Sequence, residues 1–321
     1  MGVTRMRYLL VGGNGYLGSE LSQQLSSRGH EVTVASRSTP KDFVNRSFVR
    51  WDASKEWEGS PPPVDVVVHL ATSNGDSSLH SLDDFLANVA VTRNIVKLCS
   101  LIPNCALMYV SSIQVFGDWN GEVSQDSPVR PVSEYALCHL IAEQTVMMFA
   151  RKHGRSSILL RLAHAIGRGA NEDAIRWGTV PAEFCRQVVE RGEIRLRTSG
   201  TQERDFIDIS VACARLVKVL ESPNFWDGTV HMVASGQGTS IREIAEVVSR
   251  VTIRVLGFEP TIQLGNESVR EGTGSLRIRP EVWNSVVLTG SSGADQIEDS
   301  IEGLLLASIE RWGGRNSASP R

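Results

Sequence analysis

Three glycines near the start of the chain are spaced for binding a phosphate. Gly12, Gly15 and Gly18 follow the apolar run 8–11 and precede a helix-like stretch that begins at Ser19. In a turn between a strand and a helix, the first glycine permits a tight turn, the second lets a pyrophosphate approach the backbone, and the third lets the helix lie close to the strand. The helix N-terminus adds free N–H donors and a positive dipole end. The pattern predicts a dinucleotide site.

The end of the second predicted strand indicates which dinucleotide binds. In NAD-binding chains, the position about 20 residues past the glycine turn usually carries an acidic residue on the ribose 2′-hydroxyl. Here Ser36 and Arg37 follow the strand-like run 30–35. The guanidinium of Arg37 can pair with a 2′-phosphate through two donors. The sequence therefore favours NADP over NAD, and the alternative is that Arg37 is a solvated loop charge.

Three polar side chains fall near one predicted edge of the sheet. Ser112 ends a strand-like run, and Tyr135 follows it by 23 residues at the start of the next predicted helix. His139 comes four residues after Tyr135, and so lies on the same face of that helix. Open α/β sheets bind their ligands at the carboxyl ends of the strands. We therefore expect these side chains to lie in a ligand site.

Alternating strand and helix patterns must position these residues. Short β-branched runs are typical of strands buried on both faces of a parallel sheet, and long helical stretches separate them. The later predicted strands are 64–70, 106–110 and 157–162, and the predicted helices between them are 83–101 and 134–153. This order predicts an α/β fold with a doubly wound parallel sheet of the Rossmann type, followed by a smaller C-terminal α/β portion that binds substrate.

Two structural units and a tail are expected. The predicted dinucleotide-binding domain covers 1–167 plus 204–235, and the predicted substrate-binding portion covers 168–203 plus 236–312. The segment 313–321 is rich in Ser, Gly and Arg and is predicted to be disordered.

The composition is typical of a cytoplasmic enzyme. With 321 residues and 41% hydrophobic content, the chain can bury a sizeable core. A net charge of −3 offers no basic footprint for nucleic acid. No stretch approaches the 18 apolar residues of a membrane span, so no membrane partner is expected. The five cysteines lack C-x-x-C spacing, which indicates free thiols and neither a disulfide framework nor a metal site.

Several short motifs occur in a characteristic order along nearly the whole chain. Besides the glycine turn and the Ser112/Tyr135 pair, they are Trp51-Asp52-Ala53, His69-Leu70-Ala71, Asn88, Arg161 to Gly169 and Glu203 to Ile207. With this set, the chain resembles the extended short-chain dehydrogenase/reductase superfamily, in particular its nucleotide-sugar epimerases, dehydratases and 4-ketoreductases.

The resemblance implies catalytic roles. In that superfamily a Tyr exchanges a proton with a substrate hydroxyl, and a Ser or Thr hydrogen-bonds the same oxygen. A Lys four residues after the Tyr stabilises the deprotonated Tyr and holds the nicotinamide ribose. Tyr135 would then be the acid/base and Ser112 the polarising residue.

The third catalytic position departs from the pattern, because His139 stands where the superfamily has its Lys. A histidine can donate to the ribose, but it is only partly charged near pH 7. Its influence on Tyr135 should therefore be weaker than that of a Lys, and should depend on pH. Either the enzyme is active with His in the relay, or its redox chemistry is weakened or lost.

The resemblance also implies contacts to the cofactor and the substrate. The expected cofactor residues are Gly12, Gly15, Tyr16, Leu17, Gly18, Ser36, Arg37, Asp52, Ala53, Leu70, Ala71, Thr72, Asn88, Val110, Tyr135, His139, Leu162 and His164. His164 replaces a family Asn, so it is either a donor to the nicotinamide amide or a core histidine. Asn171 and Arg204 are expected to bind substrate, since the Arg matching Arg204 contacts a diphosphate in nucleotide-sugar enzymes.

Three functions remain open at this stage. The first is an NADP-dependent reductase of a keto nucleotide sugar, favoured because net reduction needs an exchangeable NADPH. The second is a 4-epimerase, which recycles a retained NAD and would fit an acidic residue better than Ser36. The third is a non-catalytic NADP-binding sensor, which only His139 favours. The helix that begins near Tyr135 is too apolar for one buried stripe, and the resemblance implies a homodimer in which it and helix 83–101 pair with their copies.

Overall fold

The computed structural model describes residues 4–39, 46–72, 82–222, 226, 228–266, 275–278 and 293–313. The predicted disordered tail lies outside these residues, apart from Gly313. The elements up to residue 166 are β1 (Arg7–Val11), α1 (Tyr16–Ser27), β2 (Glu31–Ser36), β3 (Ser47–Arg50), β4 (Val66–His69), α2 (Leu82–Leu101), β5 (Ala106–Ser112), β6 (Gly121–Val123), α3 (Glu134–His153), β7 (Ser157–Leu162) and β8 (His164–Ile166). The remaining elements are α4 (Val180–Arg191), β9 (Glu193–Arg195), β10 (Glu203–Asp208), α5 (Ile209–Leu220), β11 (Val230–Val233), β12 (Gly238–Ser240), α6 (Ile241–Leu256), β13 (Thr261–Gln263), β14 (Leu276–Ile278) and α7 (Gly293–Trp312).

The central sheet has seven strands in the order β11-β7-β5-β4-β1-β2-β3. Every pairing in it is parallel. The chain runs outward from β1 to β3, crosses back to β4, and then runs outward in the other direction. The sheet therefore confirms the predicted doubly wound α/β fold. Its strand order reverses between β1 and β4, and in such sheets ligands bind in the crevice at the carboxyl ends of that pair.

Helices cover both faces of the central sheet. An apolar core that includes Leu21, Leu25 and Leu216 lies on the face covered by α1 and α5. A second core, with Ile95, Leu98 and Val146, lies under α2 and α3. All four residues of β4 are buried, as expected for a strand covered on both faces.

The C-terminal half builds a third apolar core. Helices α4, α6 and α7 pack together around it, with side chains such as Phe184, Ile244 and Leu305. The other short strands form smaller sheets: β10 lies between β8 and β12, β13 pairs with β9, and β14 pairs with β6. None of the helices in the described part of the chain is long and apolar enough to cross a membrane.

Candidate active site

The glycine turn lies where the strand order reverses. Gly12 has a φ of +87°, and a Cβ there would lie 2.9 Å from the Cα of Ala71, just beyond β4. A Cβ on Gly18 would lie 2.6 Å from the Cα of Gly13. Side chains at these two positions would push β4 and α1 away from the turn. The glycines therefore let the turn fit closely between the end of β4 and the start of α1.

The start of α1 retains the donors of an anion site. Its N-cap, Gly15, provides no side-chain hydrogen bond to the first turn. The first N–H groups of a helix lack partners within the helix, so without a side-chain cap they suit an anion.

Two long-range hydrogen bonds fix the glycine turn and α1 in place. The buried Tyr16 hydroxyl donates to the Gly167 carbonyl oxygen at 2.7 Å. The amide of Asn171 donates to the Asn14 carbonyl oxygen at 2.8 Å. Asn171, which the sequence predicts as a substrate residue, thus lies against the glycine turn.

The end of β2 carries the predicted cofactor-selecting residues. The Ser36 hydroxyl donates to the Ser38 carbonyl oxygen at 2.6 Å, and Arg37 is exposed. Asp52, after β3, accepts from the backbone and hydroxyl of Ser54 at 3.1 and 2.8 Å. Burial raises the pKa of Asp52, but these hydrogen bonds and the charges of Arg37 and Lys55 outweigh it and hold that pKa below its usual value. Arg37 therefore lies close enough to Asp52 to lower the pKa of its carboxyl group.

A cleft lies at the carboxyl end of β4, between α2 and α3. The residues that line it are His69, Ala71, Thr72, Asn88, Thr92, Tyr109, Tyr135, Cys138, His139 and Ala142. It brings together five residues that the sequence predicts for the site: Ala71, Thr72, Asn88, Tyr135 and His139.

The first turn of α3 positions Tyr135. The N-cap Ser133 accepts from the Ala136 N–H at 3.2 Å, so the helix begins one residue before Tyr135. Four residues on, the ring of His139 meets that of Tyr135 edge to face, with centroids 4.5 Å apart. Tyr135 and His139 are thus in contact through their rings, on the helix face where the sequence predicts both of them.

His139 is buried, and its burial favours the neutral imidazole. Its side chain forms a 2.6 Å hydrogen bond between Nδ1 and the Tyr109 hydroxyl. Burial, assisted by the charge of Arg176, lowers the pKa of His139 to about 3. This direction differs from the expectation that the histidine is partly charged near pH 7, because burial removes the solvation on which that expectation depends. Its Nε2 is buried and has no hydrogen-bond partner in the described part of the chain.

Tyr109 lies between two histidines. Its ring centroid is 4.7 Å from that of His69 and 5.9 Å from that of His139. The Nε2 of His69 is 3.0 Å from the Thr92 hydroxyl, and burial lowers the pKa of His69 to about 3. The sequence did not point to Tyr109 as a site residue, because Tyr109 lies within the apolar run of a predicted strand. The signal was the strand period of two, which puts Tyr109 on the same face of β5 as Ser111.

Ser112 is fixed by its own turn. Its hydroxyl accepts from the Gln114 N–H at 3.2 Å and caps the 3₁₀ turn Ile113–Phe116. Helix α3 packs against both this turn and β5. Ser112 is thereby held at the carboxyl end of β5, but it is not among the residues that line the cleft.

A buried ion pair lies behind the site. Arg161 of β7 donates to both carboxylate oxygens of Glu143 in α3, at 3.0 and 2.9 Å. Ser111 of β5 donates to the same carboxylate at 2.6 Å. Glu143 is fully buried. This cluster ties α3 to two strands, and sequence reasoning did not assign Glu143 any part in it.

Several other residues predicted for the site do not line the cleft. His164 contacts the Asp205 carbonyl oxygen through Nδ1 at 3.3 Å, and its ring packs on Phe206. Burial lowers the pKa of His164 to about 4, which favours its neutral form. Arg204 of β10 is half-buried, and its guanidinium donates to the Glu203 carbonyl oxygen at 2.8 Å. Val110 is buried and Leu162 is half-buried.

Comparison with known proteins gives consistent matches. The model of the NAD dependent epimerase/dehydratase family matches residues 8–233. A putative UDP-glucose 4-epimerase from Methanocaldococcus jannaschii is 24% identical over 254 residues, which cover 75% of this chain and 80% of that protein. The dTDP-6-deoxy-L-talose 4-dehydrogenase (NAD(P)(+)) of Kitasatospora kifunensis is 26% identical over 218 residues, 64% of this chain and 66% of that protein. The structure of an NAD dependent NDP-hexosamine 5,6-dehydratase involved in tunicamycin biosynthesis has a TM-score of 0.78 at 23% identity, covering 97% of this chain and 100% of that one.

Proposed function

Since the chain belongs to the NAD dependent epimerase/dehydratase family and is an enzyme of that extended short-chain dehydrogenase/reductase type, we propose that it is an NADP-dependent reductase of a 4-keto nucleotide sugar. Tyr135 is the acid that protonates the carbonyl oxygen, and Ser112 hydrogen-bonds that oxygen. A relative bears the name of a 4-dehydrogenase that uses NAD(P)(+), which is chemistry of this class.

The observation that carries the proposal is the neutral His139 beside Tyr135. A reduction begins with a protonated phenol, which gives its proton to the developing alkoxide. An epimerase begins by oxidising a substrate hydroxyl, so its Tyr must act first as a base, and a nearby positive charge favours that form. A buried imidazole whose pKa is lowered to about 3 supplies no such charge at neutral pH. The neutral imidazole therefore favours the reductive direction, and the positive charge that reaches His139 is that of Arg176.

The residues present fit a nicotinamide dinucleotide. The start of α1 follows a glycine N-cap that gives its first N–H groups no side-chain partner, and the unpartnered Nε2 of His139 is a donor or acceptor beside the cleft. When bound, the cofactor would supply the hydride. Gly12, Gly15 and the start of α1 would hold its pyrophosphate, while Asn88 and His139 would hold its nicotinamide ribose. Arg37, at the end of β2, supports a preference for NADP because its guanidinium can pair with a 2′-phosphate.

The substrate is proposed to bind between the cleft and the C-terminal portion, 168–203 plus 236–312. Arg204 is half-buried, and burial lowers its pKa, with Asp118 acting in the opposite direction. A guanidinium held away from bulk water suits a diphosphate, which it can meet with two parallel hydrogen bonds.

The runner-up is a nucleotide-sugar 4-epimerase. It is favoured by the name of the relative from Methanocaldococcus jannaschii. A non-catalytic NADP-binding sensor is the second alternative, because His139 replaces the superfamily's Lys. A cytoplasmic location and a homodimer belong to the same proposal. The location is supported by all five cysteines being free thiols, as in a reducing compartment.

The decisive experiment is turnover of a panel of UDP-, dTDP-, GDP- and CDP-linked 4-keto sugars, followed by NADPH absorbance. We expect one of them to be reduced, and Tyr135→Phe to lower the rate about 10²–10⁴-fold, because it removes the proton donor. NADPH binding by Tyr135→Phe should be unchanged. Interconversion of sugars without net NADPH consumption would replace the reductase with the epimerase, and tight NADPH binding without any turnover would replace it with the sensor.

The pH profile of the same reaction tests the neutral histidine. Because the pKa of His139 is lowered to about 3, its imidazole does not titrate between pH 5 and 8. The plot of rate against pH should therefore show no change centred near pH 6.5 that depends on His139. Wild type and His139→Gln should have the same shape in this range. A change there that depends on His139 would show that the histidine is charged in the working enzyme.

A further inference from the structure

The segment between β8 and α4 returns to the glycine turn. Its Gly167 carbonyl oxygen accepts the 2.7 Å hydrogen bond from Tyr16, and its Asn171 amide donates to Asn14 at 2.8 Å. Between these two contacts, a Cβ on Gly169 would lie 3.3 Å from the Tyr16 ring. The segment therefore brings residues of the C-terminal portion next to the start of α1.

Arg176 lies in this segment, on a fixed backbone. Its neighbours Ile175 and Trp177 pack on the third apolar core. Its own carbonyl oxygen accepts from the N–H and the hydroxyl of Thr179, at 3.1 and 2.9 Å. The side chain of Arg176 is exposed. The fold thus holds the Cα of Arg176 in place and leaves its guanidinium accessible to a ligand.

The two arginines of this segment differ in their partners. Arg168 donates to the Glu172 carboxylate at 2.9 Å and to that of Glu310 at 2.7 Å. The guanidinium of Arg176 has no hydrogen-bond or ion-pair partner within the part of the chain that the structure describes. Its five N–H donors and its charge therefore suit an anionic ligand.

The charge of Arg176 acts on both ends of the proposed cofactor site. Burial and the charge of Asp208 raise the pKa of Tyr16, while the charge of Arg176 opposes that rise. Burial lowers the pKa of His139, and the charge of Arg176 lowers it further. Tyr16 begins α1 beside the glycine turn, and His139 lines the cleft. The guanidinium therefore faces the region between the glycine turn and the cleft.

We propose that Arg176 pairs with a diphosphate bound between the glycine turn and the cleft, and so supplies a cation to this site from the C-terminal portion. The glycine turn, residues 12–18, contains no Lys or Arg of its own. A guanidinium can meet two phosphate oxygens with parallel hydrogen bonds. Once paired with phosphate, Arg176 adds no net positive charge beside His139.

Two ligands of the proposed function carry this group, the cofactor with its pyrophosphate and the nucleotide sugar with its diphosphate. The pairing rests on the proposed function for the identity of these ligands, but it does not depend on turnover. The contacts of the segment with Tyr16 and Asn14 place it beside the glycine turn, which favours the pyrophosphate of the cofactor.

Titrations of NADPH and NADH, followed by nicotinamide fluorescence, test the pairing. Arg176→Gln should weaken the binding of both about 10- to 100-fold, the effect of a lost hydrogen bond to a charged group, because both carry the pyrophosphate. Arg176→Lys should restore part of the loss, since an ammonium keeps the charge without the planar fork. Arg191→Gln is the matched control, because Arg191 is an exposed arginine in the last turn of α4, and it should change neither affinity.

Titrations of UDP, dTDP, GDP and CDP by calorimetry distinguish the two sources of the diphosphate. Losses for NADPH and NADH with unchanged nucleoside diphosphates would assign Arg176 to the cofactor, and losses confined to a nucleoside diphosphate would assign it to the substrate. A loss for NADPH alone would place Arg176 at the 2′-phosphate and overturn the proposal. Unchanged affinities for all of these ligands would also overturn it.

The same measurements separate this proposal from the proposed function. A wild type that binds both cofactors through Arg176 but reduces no 4-keto sugar would refute the reductase and support the pairing. A wild type that reduces a 4-keto sugar, with affinities that do not change in Arg176→Gln, would support the reductase and refute the pairing.

Discussion

A single exposed arginine decides the cofactor preference in our proposal. Arg37 follows β2, and its charge also contributes to the low pKa of Asp52. These two roles predict different results. An arginine that serves the 2′-phosphate affects only NADP, whereas one that serves mainly Asp52 would affect both cofactors alike.

Arg37→Ala should weaken NADPH binding about 10- to 100-fold and leave NADH binding nearly unchanged, because a hydrogen-bonded pair with a charged group contributes about 1.5–3 kcal/mol. Titration by nicotinamide fluorescence measures both affinities. Arg151→Ala is the matched control, since Arg151 is an exposed arginine in the last turn of α3. Equal losses for NADPH and NADH would remove the preference for NADP.

At the scale of elements, α3 matters most, because it carries both Tyr135 and His139. Its third turn is tied to β5 and β7 because the Glu143 carboxylate accepts from Ser111 and Arg161. A buried ion pair adds little net stability relative to apolar residues of the same size, but removing one partner leaves an uncompensated buried charge. The cluster therefore fixes the position of α3 more than it stabilises the fold.

Arg161→Met should lower the free energy of unfolding by about 3–5 kcal/mol, because the Glu143 carboxylate is left buried and unpaired. Adding Glu143→Leu to that variant should restore most of the lost free energy of unfolding. Urea unfolding measures both. Arg254→Met is the control, since Arg254 pairs with Glu298 and Glu302 while about half-exposed, and it should cost less than about 1 kcal/mol. A double variant as unstable as Arg161→Met would argue against the buried-charge explanation.

The same helix illustrates what could be predicted from the sequence. The predicted helix 134–153 coincides with α3, because Ser133 caps its start and Gly154 ends it in a left-handed conformation. The hydrogen-bond partner of His139 could not be predicted. Tyr109 is 30 residues away along the chain, and the contact depends on how α3 packs against β5. Local signals indicate elements, while the charge state of a buried side chain depends on neighbours that only the packing brings together.

At the scale of the whole molecule, α2 and α3 pack against each other but leave apolar side chains exposed. Leu86 of α2 is 53% exposed, and Met148 and Leu137 of α3 are 65% and 39% exposed. Leu137 and Met148 are eleven residues apart, which is about three turns, so they lie on one face of α3. The apolar composition of α3 predicts a second covered face, and the apolar side chains of that face are exposed in the single chain.

We expect the wild type to sediment as a homodimer and Leu86→Glu/Met148→Glu to sediment as a monomer. In a two-fold interface each substituted position occurs twice, so two changes place four charges in one apolar contact. Sedimentation velocity measures the mass. Ile253→Glu is the control, because Ile253 is 47% exposed on α6, outside the proposed interface. A monomeric wild type would contradict the dimer, and a monomeric Ile253→Glu would move the interface to α6, since a charge disrupts an association only where it is desolvated on binding.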